Sequence, residues 1–183
     1  MSQTRSQNPD PELSDGVLRL RPWALGDAPY LAAAWADPAI QSHCEVPPNR
    51  SPGHAAKWIQ GQVEREISGV AIDLVMAEVD SPTVVVGEIG LGPFDWARGA
   101  ALVGFWVAGE HRGKGYAKRA LELVSRWSRT TLRLETLMAT TSVANLASGS
   151  ILESAGFEII DIGRTDDNQI WAASIVELPN EVV

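Results

Sequence analysis

The sequence has few of the residues that mark disulfide-bonded, membrane-spanning or metal-binding proteins. Its 183 residues include a single cysteine, Cys44, so no internal disulfide can form. No apolar run is long enough to cross a membrane, and residues 1–14 lack the apolar core of an export signal. The 3 histidines and the one cysteine show no metal-ligand spacing. We therefore expect a cytoplasmic protein that uses no metal and no membrane.

Positive charge is also scarce, but it is concentrated in one segment. The chain has 15 Lys and Arg residues against 23 Asp and Glu residues, a net charge of −8, which argues against a nucleic-acid partner. Residues 110–133 nevertheless contain seven Lys and Arg residues and only two Glu residues. A basic segment in an acidic chain favours a small anionic ligand bound at one place. The alternative is that these cations only solvate one face of a helix.

This basic segment begins at a predicted junction between a buried strand and an amphipathic helix. Residues 101–108 form a short apolar run typical of a buried strand, and apolar residues recur at helical spacing over 117–127. The first N–H groups of such a helix have no partner within it and lie at the positive end of its dipole. Gly113 and Gly115 would leave space for a bulky anion beside them. The junction therefore predicts a phosphate-binding turn.

Two common phosphate-binding motifs do not fit this turn. A P-loop requires Ser or Thr directly after Gly-Lys, whereas Gly115 follows Lys114. A dinucleotide fingerprint requires a third glycine where this chain has Lys118. Another nucleotide-binding α/β module stays open as an alternative, and competition by adenine dinucleotides would favour it.

A third motif does fit. Arg112-Gly113-Lys114-Gly115-Tyr116-Ala117 matches the pattern Q/R-x-x-G-x-G/A and so resembles the GNAT acetyltransferases, in which this signature binds the pyrophosphate of acetyl-coenzyme A (acetyl-CoA). The segments 104–111, 145–148 and 155–157 resemble the RimJ/RimL-like branch, which includes the ribosomal-protein-alanine N-acetyltransferases. The resemblance covers about residues 16–178 and implies an acetyltransferase.

The rest of the chain is consistent with one domain of that kind. We predict a flexible tail over residues 1–14 and a single domain over 15–183. The predicted elements are a strand at 17–21, helices at 27–36 and 54–67 with a loop at 39–52 between them, a hairpin of strands 70–79 and 84–91, a strand at 101–108, a helix from 115, a strand at 134–141, a helix from 145, and strands at 158–164 and 169–178. This order predicts an α/β (α+β) fold with a mixed, mostly antiparallel sheet and helices on both faces. The resemblance adds that the middle strands splay apart.

The resemblance also assigns the residues that bind acetyl-CoA as co-substrate. The six motif residues from Arg112 to Ala117 would hold the pyrophosphate. Main-chain groups of Trp106 and Val107 would pair with the pantetheine arm, and Asn145 would contact the arm from the facing side. For Trp106 and Val107, a simple core role is fully compatible with this one.

Catalysis in the family is direct attack of an uncharged amine on the thioester, which requires a base and an acid. Many relatives use a tyrosine acid at the position that is Leu152 here, whereas the RimJ/RimL-like branch suggests Ser148, one helical turn after Asn145. Ser148 could equally be an ordinary first-turn serine. For the base we choose Glu88, because it interrupts an apolar strand, although exposure near the strand end would also explain it. Glu45 is the second choice.

Several alternatives remain open at this stage. His43 and Cys44 resemble a thiol nucleophile and its base, but no oxyanion motif accompanies them. Trp96, in a polar loop, could line an acceptor site or a homodimer contact. The acceptor could be a protein N-terminus, another peptide amine or a small-molecule amine. Because Leu152 replaces the usual tyrosine, the chain could instead be a non-catalytic module that binds or senses acyl-CoA.

Overall fold

The computed structural model describes residues 13–162 and 167–175, which form one eight-stranded sheet covered by helices. The strands are Leu13–Ser14 (β1), Leu18–Pro22 (β2), Ile72–Glu78 (β3), Gly87–Asp95 (β4), Ala100–Val107 (β5), Thr136–Ser142 (β6), Glu158–Ile162 (β7) and Asn168–Ser174 (β8). The α-helices are Ala28–Ala36 (α1), Pro38–Gln41 (α2), Pro52–Gln60 (α3), Gln62–Ile67 (α4), Tyr116–Trp127 (α5) and Leu146–Ser154 (α6). Within the described ranges, no helix has both the length and the apolar character needed to span a bilayer.

The sheet is mixed, and its middle opens as predicted. The strand order is β1-β2-β3-β4-β5-β6-β8-β7, and every neighbouring pair is antiparallel except β5 and β6. These two parallel strands pair only over Ala100–Leu102 and Thr136–Met138. The remainder of β5 therefore has a free edge towards β6. The predicted splay of the middle strands is confirmed.

Helices cover both faces of the sheet and bury two separate apolar clusters. Alternation along β3 divides its side chains, so that Leu74 and Met76 belong to the core beneath α5 while Val75 belongs to the core beneath α1 and α3. The second core is rich in tryptophan. The predicted architecture, with helices on both faces, is confirmed.

The chain between β2 and β3 differs from the sequence prediction. Residues 39–41 of the predicted loop at 39–52 are helical and belong to α2, whose first turn Asp37 caps by accepting a hydrogen bond from the Ala39 N–H at 2.8 Å. The predicted helix at 54–67 is two helices, because the chain turns at Gly61 and Arg65 donates back to the Trp58 carbonyl oxygen at 3.0 Å. The second of these helices, α4, has no buried residue and leaves Ile67 77% exposed.

At the ends, part of the predicted structure lies outside the described residues. Leu13 and Ser14, assigned to the tail, pair with Leu20 and Arg19 as β1. The predicted last two strands are present as β7 and β8, but residues 163–164 and 176–178, which those predictions also include, lie outside the described residues.

Candidate active site

A cleft of about 560 Å³ opens where β5 leaves β6. The end of β5, the turn before α5, the first turns of α6, and α2 with the loop after it form its walls. Nine of the predicted site residues line it: Trp106, Val107, Arg112, Gly113, Gly115, Tyr116, Ala117, Asn145 and Ser148. Two other predicted site residues, Lys114 and Glu88, are not among its lining residues.

The glycine turn has the backbone shape of an anion cradle. Gly113 and Gly115 have φ angles of 76° and 79°, in the left-handed region that favours glycine. A Cβ atom at either position would meet no other atom within 4 Å, so open space lies above both. Gly115 precedes α5, and no side chain caps that helix. Its first N–H groups are therefore available to a phosphate.

Arg112 holds the turn in place rather than pointing freely into the cleft. Its Nη2 lies 2.9 Å from Asp37 Oδ2, and its Nε donates to the Val107 carbonyl oxygen at 2.9 Å. The side chain thus joins the cap of α2 to the end of β5. That same Val107 oxygen is one of the groups that the family resemblance assigns to pantetheine. Lys114 lies outside this network, with its Nζ 5.9 Å from the Tyr116 ring.

The first turn of α6 forms the facing wall of the cleft. Asn145 caps this helix by accepting a hydrogen bond from the Ser148 N–H at 3.1 Å. The cap brings both side chains to the cleft wall, as their spacing predicts. Leu152, at the position of the usual tyrosine, is fully buried in the core beneath α5 and offers no proton.

Glu88 lies immediately behind the cleft on β4, directly across from Trp106 on β5. Its Oε2 atom is buried and has no hydrogen-bond partner in the described part of the chain. Burial, and then the negative charge of Asp73, raise the pKa of the Glu88 carboxyl to about 8. A hydrogen bond from Trp106 opposes this rise, as do weaker effects of Trp23 and Arg65. The Trp23 Nε1 faces the carboxyl without reaching normal hydrogen-bond geometry.

A comparison with known protein families leads to the same conclusion as the phosphate turn, the opened strands and the capped helix. The family described as "Acetyltransferase (GNAT) domain" matches residues 18–158, well over half of the chain. The chain belongs to the GNAT acetyltransferase family. The predicted membership is confirmed.

Individual relatives support the same assignment. The GNAT chain is 28% identical over 143 residues to an uncharacterized N-acetyltransferase p20 of Bacillus licheniformis, covering 77% of this chain and 79% of that one. Among solved structures, Mycobacterium smegmatis RimJ in complex with CoA-disulfide superimposes with a TM-score of 0.79 at 22% identity, covering 90% of this chain and 85% of that one. Vibrio cholerae spermidine N-acetyltransferase in complex with CoA and spermine superimposes with a TM-score of 0.75 at 19% identity, covering 87% of this chain and 96% of that one. The similarity to these two solved structures shows the fold of this chain.

Within the GNAT domain, the structure distinguishes Glu88 from the other candidate bases. Neither Glu45 nor Glu88 lines the cleft, but Glu45 is exposed whereas the Oε2 atom of Glu88 is buried. Cys44 and His43 do line it, but burial and the charge of Glu88 raise the pKa of the Cys44 thiol. A raised pKa keeps the thiol protonated, which argues against a thiol nucleophile. The effect of Glu88 on Cys44 also shows that the carboxyl lies close behind this wall.

Some residues near the cleft were not found from the sequence. His111 lines the cleft, and its buried Nδ1 has no hydrogen-bond partner within the described residues. Ile40 of α2 lines it as well, and no sequence pattern indicated this helix. Trp96 is 41% exposed and stacks on Phe94 with ring centroids 4.6 Å apart, so its loop is ordered but does not line the cleft.

Proposed function

We propose that this GNAT protein transfers an acetyl group from acetyl-CoA to a primary amine. One observation carries the proposal: the cleft that contains the open glycine cradle at the start of α5 is also lined by Trp106, whose cross-strand partner Glu88 is a buried carboxyl with a raised pKa. The cradle suits a diphosphate, and the carboxyl suits proton transfer near neutral pH. The spermidine N-acetyltransferase relative, as its name says, acts on a small amine.

The residues present fit acetyl-CoA along the whole cleft. The N–H groups from Gly113 to Ala117 would hold the pyrophosphate, and Lys118 at the rim would add positive charge. The free edge of β5 at Trp106 and Val107 would pair with the pantetheine amides as an added strand does. Arg112 would hold the turn and this edge of β5 in fixed positions relative to each other. Acetyl-CoA supplies the activated acetyl group.

Glu88 and Ser148 would then move the protons. The Glu88 carboxylate takes one proton from the attacking amine, whose nitrogen forms the new bond to the acetyl carbon. The carbon–sulfur bond breaks, and the sulfur takes the proton of the Ser148 hydroxyl, which solvent replaces. The Glu88 proton leaves to solvent, so the products are the amide and the free thiol of coenzyme A.

The Ser148 and Glu88 variants test this assignment. We expect Glu88→Gln to lower kcat/KM for an amine acceptor by about 10²–10⁴-fold and Ser148→Ala by a smaller factor, with the Kd for CoA unchanged. Wild-type kcat/KM should rise with pH up to an inflection near pH 8, where Glu88 loses its proton, and Glu88→Gln should lack that inflection. Release of the CoA thiol is the assay. Glu45→Gln and Ser150→Ala, on the loop after α2 and on α6, are the matched controls.

A non-catalytic acyl-CoA module is the second candidate, because fully buried Leu152 stands at the usual acid position. Tight CoA binding, no acetylation of any amine, and silent Ser148 and Glu88 variants would favour it. Absence of CoA binding would contradict both candidates.

A further inference from the structure

We infer that Asp73 is a specificity-determining residue, which binds a second amino group of the acceptor. The acceptor would lie across a part of the sheet surface, here called the floor, where Gly90 and Gly104 present no side chains. The inference rests on the proposed acetyltransferase function and extends it, because it names a diamine as the class of acceptor.

The strand register places these residues in one row beside the candidate base. Asp73 on β3 pairs with Gly90 on β4, and Gly90 pairs with Gly104 on β5. The neighbouring row, two residues along, contains Glu88 and Trp106. Since alternate residues of a strand share a face, all five lie on the tryptophan-rich face of the sheet.

Gly90 and Gly104 leave this part of the face bare. A Cβ atom on Gly104 would meet nothing within 4 Å, and Gly104 is exposed to solvent. The pairing of β5 with β6 ends at Leu102, two residues before Gly104, so β6 does not pair with β5 beside this glycine. The row that contains Glu88 is the next one along the same face.

Asp73 extends its Oδ1 atom over this floor, because Arg65 holds its other oxygen, Oδ2. Arg65 donates to Asp73 Oδ2 from Nε at 3.2 Å and from Nη2 at 3.0 Å. Arg65 is itself fixed, since its guanidinium lies 4.0 Å from the centre of the Trp58 ring. Asp73 Oδ1 lies 3.1 Å from where a Cβ of Gly90 would be, and it has no hydrogen-bond partner among the described residues. This oxygen is an acceptor site aimed over the floor.

Two carboxyls in neighbouring rows define the spacing of a ligand. Diagonal cross-strand neighbours are about 7–8 Å apart, a separation that a diamine with a short carbon chain can span. One amino group would meet Glu88 and react, while the second, protonated, would donate to Asp73 Oδ1. Trp106 lies in the neighbouring row, Trp23 packs against it with ring centroids 6.4 Å apart, and indole ring faces favour ammonium groups. A monoamine leaves Asp73 Oδ1 without a partner.

Steady-state kinetics with a four-carbon diamine and with n-butylamine test the assignment. We expect the wild type to show the lower KM for the diamine. Asp73→Asn should raise the KM for the diamine about tenfold more than it raises the KM for n-butylamine, because a hydrogen bond to a charged group is lost for the diamine alone, whereas a change in the pKa of Glu88 acts on both amines alike. Equal changes for both amines would overturn the inference, since they would show that Asp73 acts only through the pKa of Glu88.

Gly104→Val provides an independent test that leaves Asp73 intact. Valine suits a strand and meets open space, so the Tm and the Kd for CoA should match those of the wild type and of the control Gly53→Ala. The KM for the diamine should rise, because the side chain fills the floor, and an unchanged KM would overturn the inference. Failure of the proposed function would differ, because the wild type would then bind CoA and acetylate neither amine.

Discussion

Among single residues, Glu88 has the most unusual chemistry. A carboxyl in the middle of a sheet, facing two indoles and a second carboxyl, costs free energy when it is charged, and its pKa rises accordingly. The buried Oε2 without a partner is the sign of that cost. A base of this kind is uncharged at rest near neutral pH, and the approach of a cationic amine favours its ionised form.

The same raised pKa makes the stability of the protein depend on pH. The folded chain holds the Glu88 proton up to about pH 8, whereas an unfolded glutamate loses it near 4.5. The resulting stabilisation is complete below pH 4.5 and is lost as the pH rises to about 8. Glu88→Gln should remove this loss. As the pH rises, its free energy of unfolding should therefore increase relative to that of the wild type, by on the order of 1.4 kcal/mol for each unit of the shift in the Glu88 pKa. Urea unfolding of both proteins at pH 5 and pH 8, with Glu45→Gln as control, measures this change. An equal difference in the free energy of unfolding between variant and wild type at both pH values would contradict the prediction.

At the same scale, the sequence indicated Glu88 but not Asp73. Glu88 stands out because it interrupts an apolar run, which is a local signal. The position of Asp73 beside it depends on the pairing of Asp73 with Gly90, and no local pattern contains a register. The roles assigned to Glu88, Ser148 and the cofactor-binding residues stay predictions.

At the scale of the element, the turn before α5 combines a strand end, two left-handed glycines and a helix N-terminus. Gly115→Ala should cost about 1–2 kcal/mol of folding free energy, because alanine is disfavoured at its φ of 79°. It should also weaken CoA binding, since the new methyl group enters the space above the turn. Gly109→Ala, in the same connection but without a positive φ, is the matched control. Calorimetry with CoA measures the Kd of each variant, and equal values would contradict the assignment of the cradle.

Elements with local signals were predicted well. The helices predicted from 115 and from 145 are present as α5 and α6. The division of the predicted helix at Gly61 was missed, because it depends on where Arg65 finds its partners in β3 and α3. Helix α2 was missed since four residues are too few to show a period.

At the scale of the whole molecule, one sheet supports two cores, and strands β3 and β5 contribute side chains to both. Val75 and Met76 are adjacent in β3 and are both fully buried, yet they face opposite cores. Neither core can dissolve without exposing a face of the strand that the other core requires. The proposed acceptor floor lies on one face and the cofactor turn starts a helix on the other, so the sheet also connects the two halves of the proposed site.

This shared sheet predicts a single cooperative unfolding transition. Leu31→Ala, in the tryptophan-rich core, and Leu121→Ala, beneath α5, should each cost about 2–5 kcal/mol, since both side chains are fully buried. Each variant should shift the midpoints of tryptophan fluorescence and of far-ultraviolet circular dichroism equally, although four of the tryptophans lie in only one of the cores. Leu146→Ala is the control, because its side chain is 76% exposed and should change little. If Leu121→Ala moved the dichroism midpoint and left the fluorescence midpoint in place, the two faces would be unfolding separately, and the sheet would not couple them.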